Sequence, residues 1–200
     1  MSKEVNYDYW LVIWTRFKSG DQEAFAVLYN QHVNTLYNYG IKLCKDKDIV
    51  KDALQDIFLE LFINRDKVRV THEYLKFYLL LALKRNLIKK LKDGRKVSHE
   101  FNESLDFSAQ YSIEFQIIEQ EQDEEINRKV SNAIRQLPAK QKEAIYLRYN
   151  ESLEYEEIAA ILEITVESVR KQVYRALKTV REIVGNEVVS VLFSLMLKKG

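Results

Sequence analysis

The sequence predicts an all-α chain, built as two small helical domains joined by an acidic linker. Three observations carry this expectation. Five Gly and one Pro among 200 residues leave little material for hairpins or long ordered loops. Apolar residues recur at three- and four-residue steps through several long stretches, which is the period of a half-buried helix rather than a strand. Charge is also segregated along the chain. Residues 1–96 hold 18 Lys/Arg against 12 Asp/Glu, residues 97–127 hold nine carboxylates and no Lys or Arg, and residues 128–200 hold 13 against 9. The total of +1 conceals two basic blocks around a purely acidic connector. That segregation points to two polyanion-binding domains, 1–96 and 128–186, with 97–127 as the linker and 187–200 as an apolar tail.

The elements follow in order. The start, MSKEVNYDYW, lacks a basic segment followed by an apolar run, so no signal peptide is expected. Helical periodicity is read from about Asp21, where Phe25, Leu28, Tyr29, His32 and Leu36 outline one face. A second helix spans about Asp46 to Phe62, with Ile49, Val50, Ala53, Leu54, Ile57, Phe58 and Leu61 as its apolar positions. Asn64–Thr71 is polar and charged and is expected to be a loop. A third helix runs from about Glu73 to Lys92, with Gly94 as its left-handed cap. After the linker, whose end IEFQIIEQEQDEE enters a helix, Pro138 begins a helix over 139–149. A short helix, Tyr155 to Leu162, and a longer one, Val166 to about Ile183, complete the second domain.

Those last two helices carry the strongest local signal. Ile158, Ala159 and Leu162 are expected to face inward, and Ala159 is small enough for two helices to cross closely. Ile164 fills the turn and Thr165 caps the second helix through its hydroxyl. Val169, Val173 and Leu177 are expected to bury that helix's inner stripe. Its outer face then presents Ser168, Arg170, Lys171, Tyr174, Arg175 and Lys178. Donors, cations and one aromatic on a single helix suit phosphates and the base edges of a major groove. A plain amphipathic hairpin would show some of these charges, but not the small residue, capped turn and basic helix together. Glu163 occupies a turn position that usually holds Gly. If that position has positive φ, a side chain costs about 1 kcal/mol there.

In the N-terminal block, Asp48, Asp52, Gln55, Asp56, Phe58 and Phe62 form a spaced acidic, amide and aromatic pattern. It is followed by the basic run YLLLALKRNLIKKLK, which begins at Tyr78. With LPAKQKEAIYLRY ahead of the helix-turn-helix, these motifs resemble the extracytoplasmic-function group of the sigma-70 family over most of residues 20–183. The resemblance implies a region-two domain, a linker and a region-four domain. It implies that Asp52, Gln55, Asp56 and Leu59 dock on a coiled-coil helix of the largest subunit of core RNA polymerase, with the flap of the second subunit as a further contact. It places Lys84, Arg85, Asn86, Lys89 and Lys90 along promoter DNA near the minus-ten element, and the α-helical outer face of the C-terminal block at the minus-thirty-five element. The loop bearing Arg65, Lys67 and Arg69 would accept a flipped base. An anti-sigma factor is a further implied partner.

The chemistry of the chain narrows the alternatives. Lone Cys44 allows no intramolecular disulfide and fits a reduced, cytoplasmic setting. His32, His72 and His99 have no metal-ligand spacing, and no cofactor motif occurs. No Gly-rich phosphate loop or nucleophile–base pairing supports an enzyme, so no catalytic residue is assigned. The competing expectation is a helix-turn-helix regulator that binds DNA without polymerase. It leaves the Gln55-Asp56-Phe58 run and the acidic linker unexplained. A pure adaptor would make both basic faces incidental. Val188–Leu197 holds eight large apolar residues in ten positions, too short for a membrane span and suited to a packed terminal helix.

Overall fold

A computed structural model describes residues 3–95, 107 and 121–185. The described residues are helical throughout apart from turns and short joins, with no strand among them. The chain divides into two compact units, residues 1–105 and 106–200.

The first unit contains α1 (Lys3–Lys18), α2 (Gln22–Leu43), α3 (Lys47–Ile63) and α4 (Leu75–Arg95). Two acidic caps set its helix starts. The Asp21 carboxylate accepts from the amides of Glu23 (2.8 Å) and Ala24 (3.2 Å), and Asp46 does the same for Asp48 (2.9 Å) and Ile49 (3.2 Å). Each satisfies amides that have no partner inside the helix. Helices α2, α3 and α4 pack on one another, and α1 packs on α2. Leu28, Leu36, Tyr39, Leu61, Leu79, Leu80, Leu83 and Leu87 form the fully buried core. The α2–α3 crossing is close at Gly40, where an added Cβ would lie 2.7 Å from Val50 Cγ1.

The structure corrects several expectations for this unit. Helix begins at Lys3, not near Asp21, and α1 is part of the core through Ile13, Trp14 and Phe17. The Phe17 ring lies 5.3 Å from Trp14 and 6.0 Å from Phe25, while Phe25 meets Phe62 at 5.0 Å. Exposed Tyr9, Leu11 and Val12 put apolar residues on the outer side of α1 as well, which hides the helical period. Helix α4 runs through Gly94 to Arg95 instead of ending at a left-handed glycine. The 64–71 segment contains a 3-10 turn, Arg65–Lys67, and a second such turn, His72–Tyr74, leads into α4.

His32, on α2, supplies a pH test of this packing. Burial, with repulsion from Lys76, pushes its imidazole down to about 4 from an ordinary 6.5. The folded chain therefore holds His32 neutral while the unfolded chain takes up its proton below pH 6.5. Between pH 6.5 and about 4 the unfolded state binds more protons, so stability falls as pH falls. The loss reaches at most about 3 kcal/mol. Denaturant midpoints measured across that window should decline in the wild type and decline less in His32→Leu. Asp21 and Asp56, both held below the usual carboxylate range, add acid sensitivity of the same sign at lower pH.

The second unit contains α5 (Glu121–Gln136), α6 (Ala139–Ile145), α7 (Tyr155–Leu162) and α8 (Val166–Val184). Helix α8 is its hub and packs on α5, α6 and α7. Pro138 caps α6 rather than occupying its first turn, and α6 passes into one π-turn, Tyr146–Asn150, where a continuous helix to Tyr149 was expected. Phe107 is fully buried, with its ring 5.7 Å from Tyr146. The inner faces also differ by one helical step from expectation. Ile158, Ala159 and Ile161 are buried on α7 while Leu162 is only partly so; on α8, Val169, Val173, Ala176 and Val180 are buried and Leu177 is partly exposed. Positions 169, 173, 176 and 180 follow the spacing of one helical stripe, and Leu177 falls at its edge. The apolar tail and most of the linker lie outside the described residues.

Candidate nucleic-acid and protein-docking surfaces

The turn between α7 and α8 sets the geometry of the C-terminal surface. Glu163 adopts a left-handed conformation, φ 54°, which reverses the chain in the space of three residues. Its side chain is exposed, so the strain buys no packing. Glu163→Gly should therefore stabilise this unit by roughly 0.5–1 kcal/mol in thermal or chemical unfolding, after allowing for glycine's greater unfolded-state freedom. The Thr165 hydroxyl accepts from the Ser168 amide at 3.2 Å, and the two hydroxyls lie 2.8 Å apart. At the start of α7, the Glu157 carboxylate accepts from the Glu154 amide at 2.8 Å. Both helices thus begin at defined points, and their relative direction follows.

Along α8 the six candidate residues share the outward side. Arg170, Lys171, Tyr174, Arg175 and Lys178 are exposed, Tyr174 by 69%, and Ser168 is half-buried at the cap. Lys171 pairs with Glu167 at 2.6 Å and Lys178 approaches Glu182 at 3.8 Å. Pairs this exposed contribute only a few tenths of a kcal/mol and open easily for a phosphate. Among the described residues no carboxylate pairs with Arg175. Arg170 is oriented by α7, because its guanidinium lies 5.5 Å from the centre of the Tyr155 ring. Arg148 approaches the same ring at 4.9 Å and also donates to the Leu153 carbonyl at 2.7 Å. The sequence reading missed this aromatic support. Tyr155 stands fifteen residues before Arg170, outside any single-helix period that would have linked them.

In the N-terminal unit, Asp52, Gln55, Asp56 and Leu59 all lie exposed on α3. Leu59 is 59% and Ile63 61% exposed, making an apolar edge one turn long that the sequence reading assigned only at Leu59. The basic residues of α4 are less uniform. Arg85 and Lys89 are exposed, whereas Lys84, Asn86 and Lys90 are half-buried. Lys90 pairs with Asp56 across α3 and α4 at 2.7 Å, and that pairing, helped by a hydrogen bond from Asn86, lowers the Asp56 carboxyl below its usual range. The Asn86 side-chain oxygen, Oδ1, is itself buried without a hydrogen-bond partner. The expected docking face and the expected DNA face therefore meet at one ion pair.

The 64–71 loop divides its cations. Lys67 and Arg69 are exposed, while Arg65 folds inward, donating to the Phe62 carbonyl at 3.0 Å and lying 5.2 Å over the Phe62 ring. Arg65 is thus a structural anchor, which the charge pattern alone could not distinguish from its neighbours. Among the described residues no cluster of His, Cys, Asp or Glu is arranged to hold a metal, and no helix is long and apolar enough to cross a membrane.

The chain is similar to known proteins in sequence and in fold. A family model described as sigma-70, region 4 matches residues 127–180. The ECF RNA polymerase sigma factor SigW of Bacillus subtilis is 25% identical over 173 residues, covering 82% of this chain and 91% of that protein. The ECF RNA polymerase sigma-E factor of Haemophilus influenzae is 26% identical over 179 residues, covering 86% of this chain and 92% of that protein. Among solved structures, the sigma factor RpoE in complex with the anti-sigma factor NepR from Bartonella quintana matches with a TM-score of 0.54 and 21% identity. That alignment covers 80% of this chain and 95% of the other. CnrH in complex with the cytosolic domain of CnrY matches with a TM-score of 0.52 and 18% identity, over 86% of this chain and 94% of the other. These structural likenesses bear on the fold.

Proposed function

We propose that this chain, which matches sigma-70 region 4 over residues 127–180 and is similar along most of its length to ECF sigma factors, is an alternative sigma factor: it joins core RNA polymerase, directs it to promoters and initiates transcription. The observation that carries this most directly is α8, a Thr165-capped helix presenting Arg170, Lys171, Tyr174, Arg175 and Lys178 on one exposed side within the region matched to sigma-70 region 4. A helix of this kind enters a major groove with its N-terminal half against base edges, and its cations meet phosphates. We assign it to the minus-thirty-five element.

The N-terminal unit supplies the other two activities in this proposal. Asp52, Gln55 and Leu59 on α3 meet polymerase, and Arg85, Lys89 and Lys84 on α4 run along DNA near the minus-ten element. Lys90 and Asp56 neutralise each other in the free chain, so each contributes only when that pair opens. The chain acts without catalytic residues of its own and works in the cytoplasm, where core polymerase and promoters are. An anti-sigma factor is its expected regulator, as in the complex of similar fold between RpoE and the anti-sigma factor NepR.

The experiment is to mix the purified chain with core polymerase and promoter DNA and follow RNA synthesis. Promoter-dependent RNA that requires the chain is the expected result; a DNA complex of full affinity formed without polymerase would instead identify an independent regulator. Gln55→Ala combined with Leu59→Ala should leave helix content unchanged, since both side chains are exposed. It should weaken capture of core polymerase by about tenfold or more, the loss of a small interface hot spot. Unchanged capture would move the docking surface elsewhere.

A further inference from the structure

The junction between α1 and the 64–71 loop has a construction that the assigned surfaces do not use. Lys18, the last residue of α1, lies 47 residues before Arg65, yet its ammonium donates to the Arg65 carbonyl and to the Val68 carbonyl, the latter at 2.8 Å. These two carbonyls stand at the two ends of the 3-10 turn Arg65–Lys67. One three-donor group therefore bridges the whole turn. The bonds are partly buried, where a charged donor to a backbone carbonyl is stronger than in water.

A second contact locks the same turn. Gly20, with φ +92°, follows α1 and lies against Arg65, where a Cβ would come within 3.3 Å of both Nε and Nη2. The Arg65 guanidinium is held between this glycine and the Phe62 ring, with its Nε buried and unpaired. An unpaired buried donor is costly, so its retention here requires that packing and the Nη1 bond to Phe62 hold the side chain in place. The result is a loop whose base is fixed from both sides while Lys67 and Arg69 face outward.

We propose that Lys18 is a positioning residue for the 64–71 loop: by clasping the Arg65 and Val68 carbonyls it holds Lys67 and Arg69 in the arrangement that reads the displaced strand of the minus-ten element. This rests on the reading of that loop as a promoter-recognition element. The N-terminal helix thereby influences promoter choice without touching DNA. Lys18→Met keeps the aliphatic stem and removes the donors; Lys18→Arg keeps donors.

Two measurements on the full-length chain test this. The first is hydrogen exchange at the amides of Lys67 and Val68, which bond to Asn64 within the turn. Exchange there should accelerate about tenfold in Lys18→Met, with α2–α4 unchanged, and return toward wild type in Lys18→Arg. The second is transcription with core polymerase from templates randomised in the minus-ten element. Lys18→Met should lower discrimination among them about tenfold, with unchanged capture of core polymerase. Wild-type exchange in Lys18→Met overturns the clasp. A loosened loop with unaltered discrimination overturns the positioning role, provided Lys67→Ala with Arg69→Ala does lower discrimination. If that double variant also reads the library normally, the loop is not a reader and the proposal falls with that reading, leaving a purely structural clasp.

Discussion

Replacing Arg170, Lys171 and Arg175 together by alanine is expected to lower transcription from a minus-thirty-five-dependent promoter by on the order of a hundredfold or more. The three side chains lie on one exposed side of α8, and their neighbours Val169, Val173 and Ala176 carry the packing. The variant should therefore fold normally. A residue that reads a base is worth about 1–3 kcal/mol of discrimination at one position, whereas each phosphate contact contributes about 1 unit to the salt slope. Single variants separate these roles. Arg175→Ala should show the largest single loss, because no described carboxylate already engages it. Lys171→Ala should lose less, since Lys171 must first leave Glu167. Promoter titrations at several salt concentrations supply the measurement. Normal transcription by the triple variant would reduce α8 to a solvated face.

The second large effect is structural. Phe17→Ala should destabilise the N-terminal unit by about 3–5 kcal/mol, because a fully buried ring is removed from a cluster with Trp14 and Phe25. For a unit of this size the loss corresponds to a fall in melting temperature of roughly 15 °C or more. Calorimetry would read it directly. An unchanged transition would mean that α1 sits loosely on α2, against the packing seen here. This variant matters because α1 is the element the sequence reading overlooked.

Why α1 was illegible and α8 was not is a matter of period and punctuation. In α8 the buried Val169, Val173, Ala176 and Val180 fall at helical steps, and cations fill the gaps. In α1, Tyr9, Leu11 and Val12 are exposed while Ile13, Trp14 and Phe17 are buried, so apolar residues cover both sides and the contrast disappears. The start of α2 was readable because the apolar period of Phe25, Leu28, His32 and Leu36 begins just after Asp21, which the structure shows capping the helix through two amides. The end of α4 was not, because Gly94 is compatible with a cap and with a continuing helix. Glu163 stands where such a turn usually holds Gly, and its backbone is left-handed, at φ 54°.

The candidate surfaces show the same division. Exposure of Gln55 and Leu59 follows from their spacing against Leu54, Ile57 and Phe58. Partner choice among charges does not follow from spacing. Lys90 meeting Asp56 and Arg170 lying against Tyr155 join segments that no one-dimensional pattern connects, and Arg65 is turned onto nearby Phe62 by its contact with Gly20, 45 residues earlier. These are the contacts that decide which cation is available to a polyanion, and they require the tertiary fold.

Phe107 has a practical consequence for anyone dissecting the protein. Its ring is buried in the C-terminal unit beside Tyr146, although it stands twenty residues ahead of the segment matched to region 4. A fragment cut at residue 127, the obvious place from sequence similarity, would leave that hollow empty and present the Tyr146 ring to water. Such a fragment would be a weaker and stickier object than the unit it was meant to represent, and its low solubility would be an artefact of the cut. The natural boundary for excision lies before Asp106, where the connector still carries the plug of the domain that follows it.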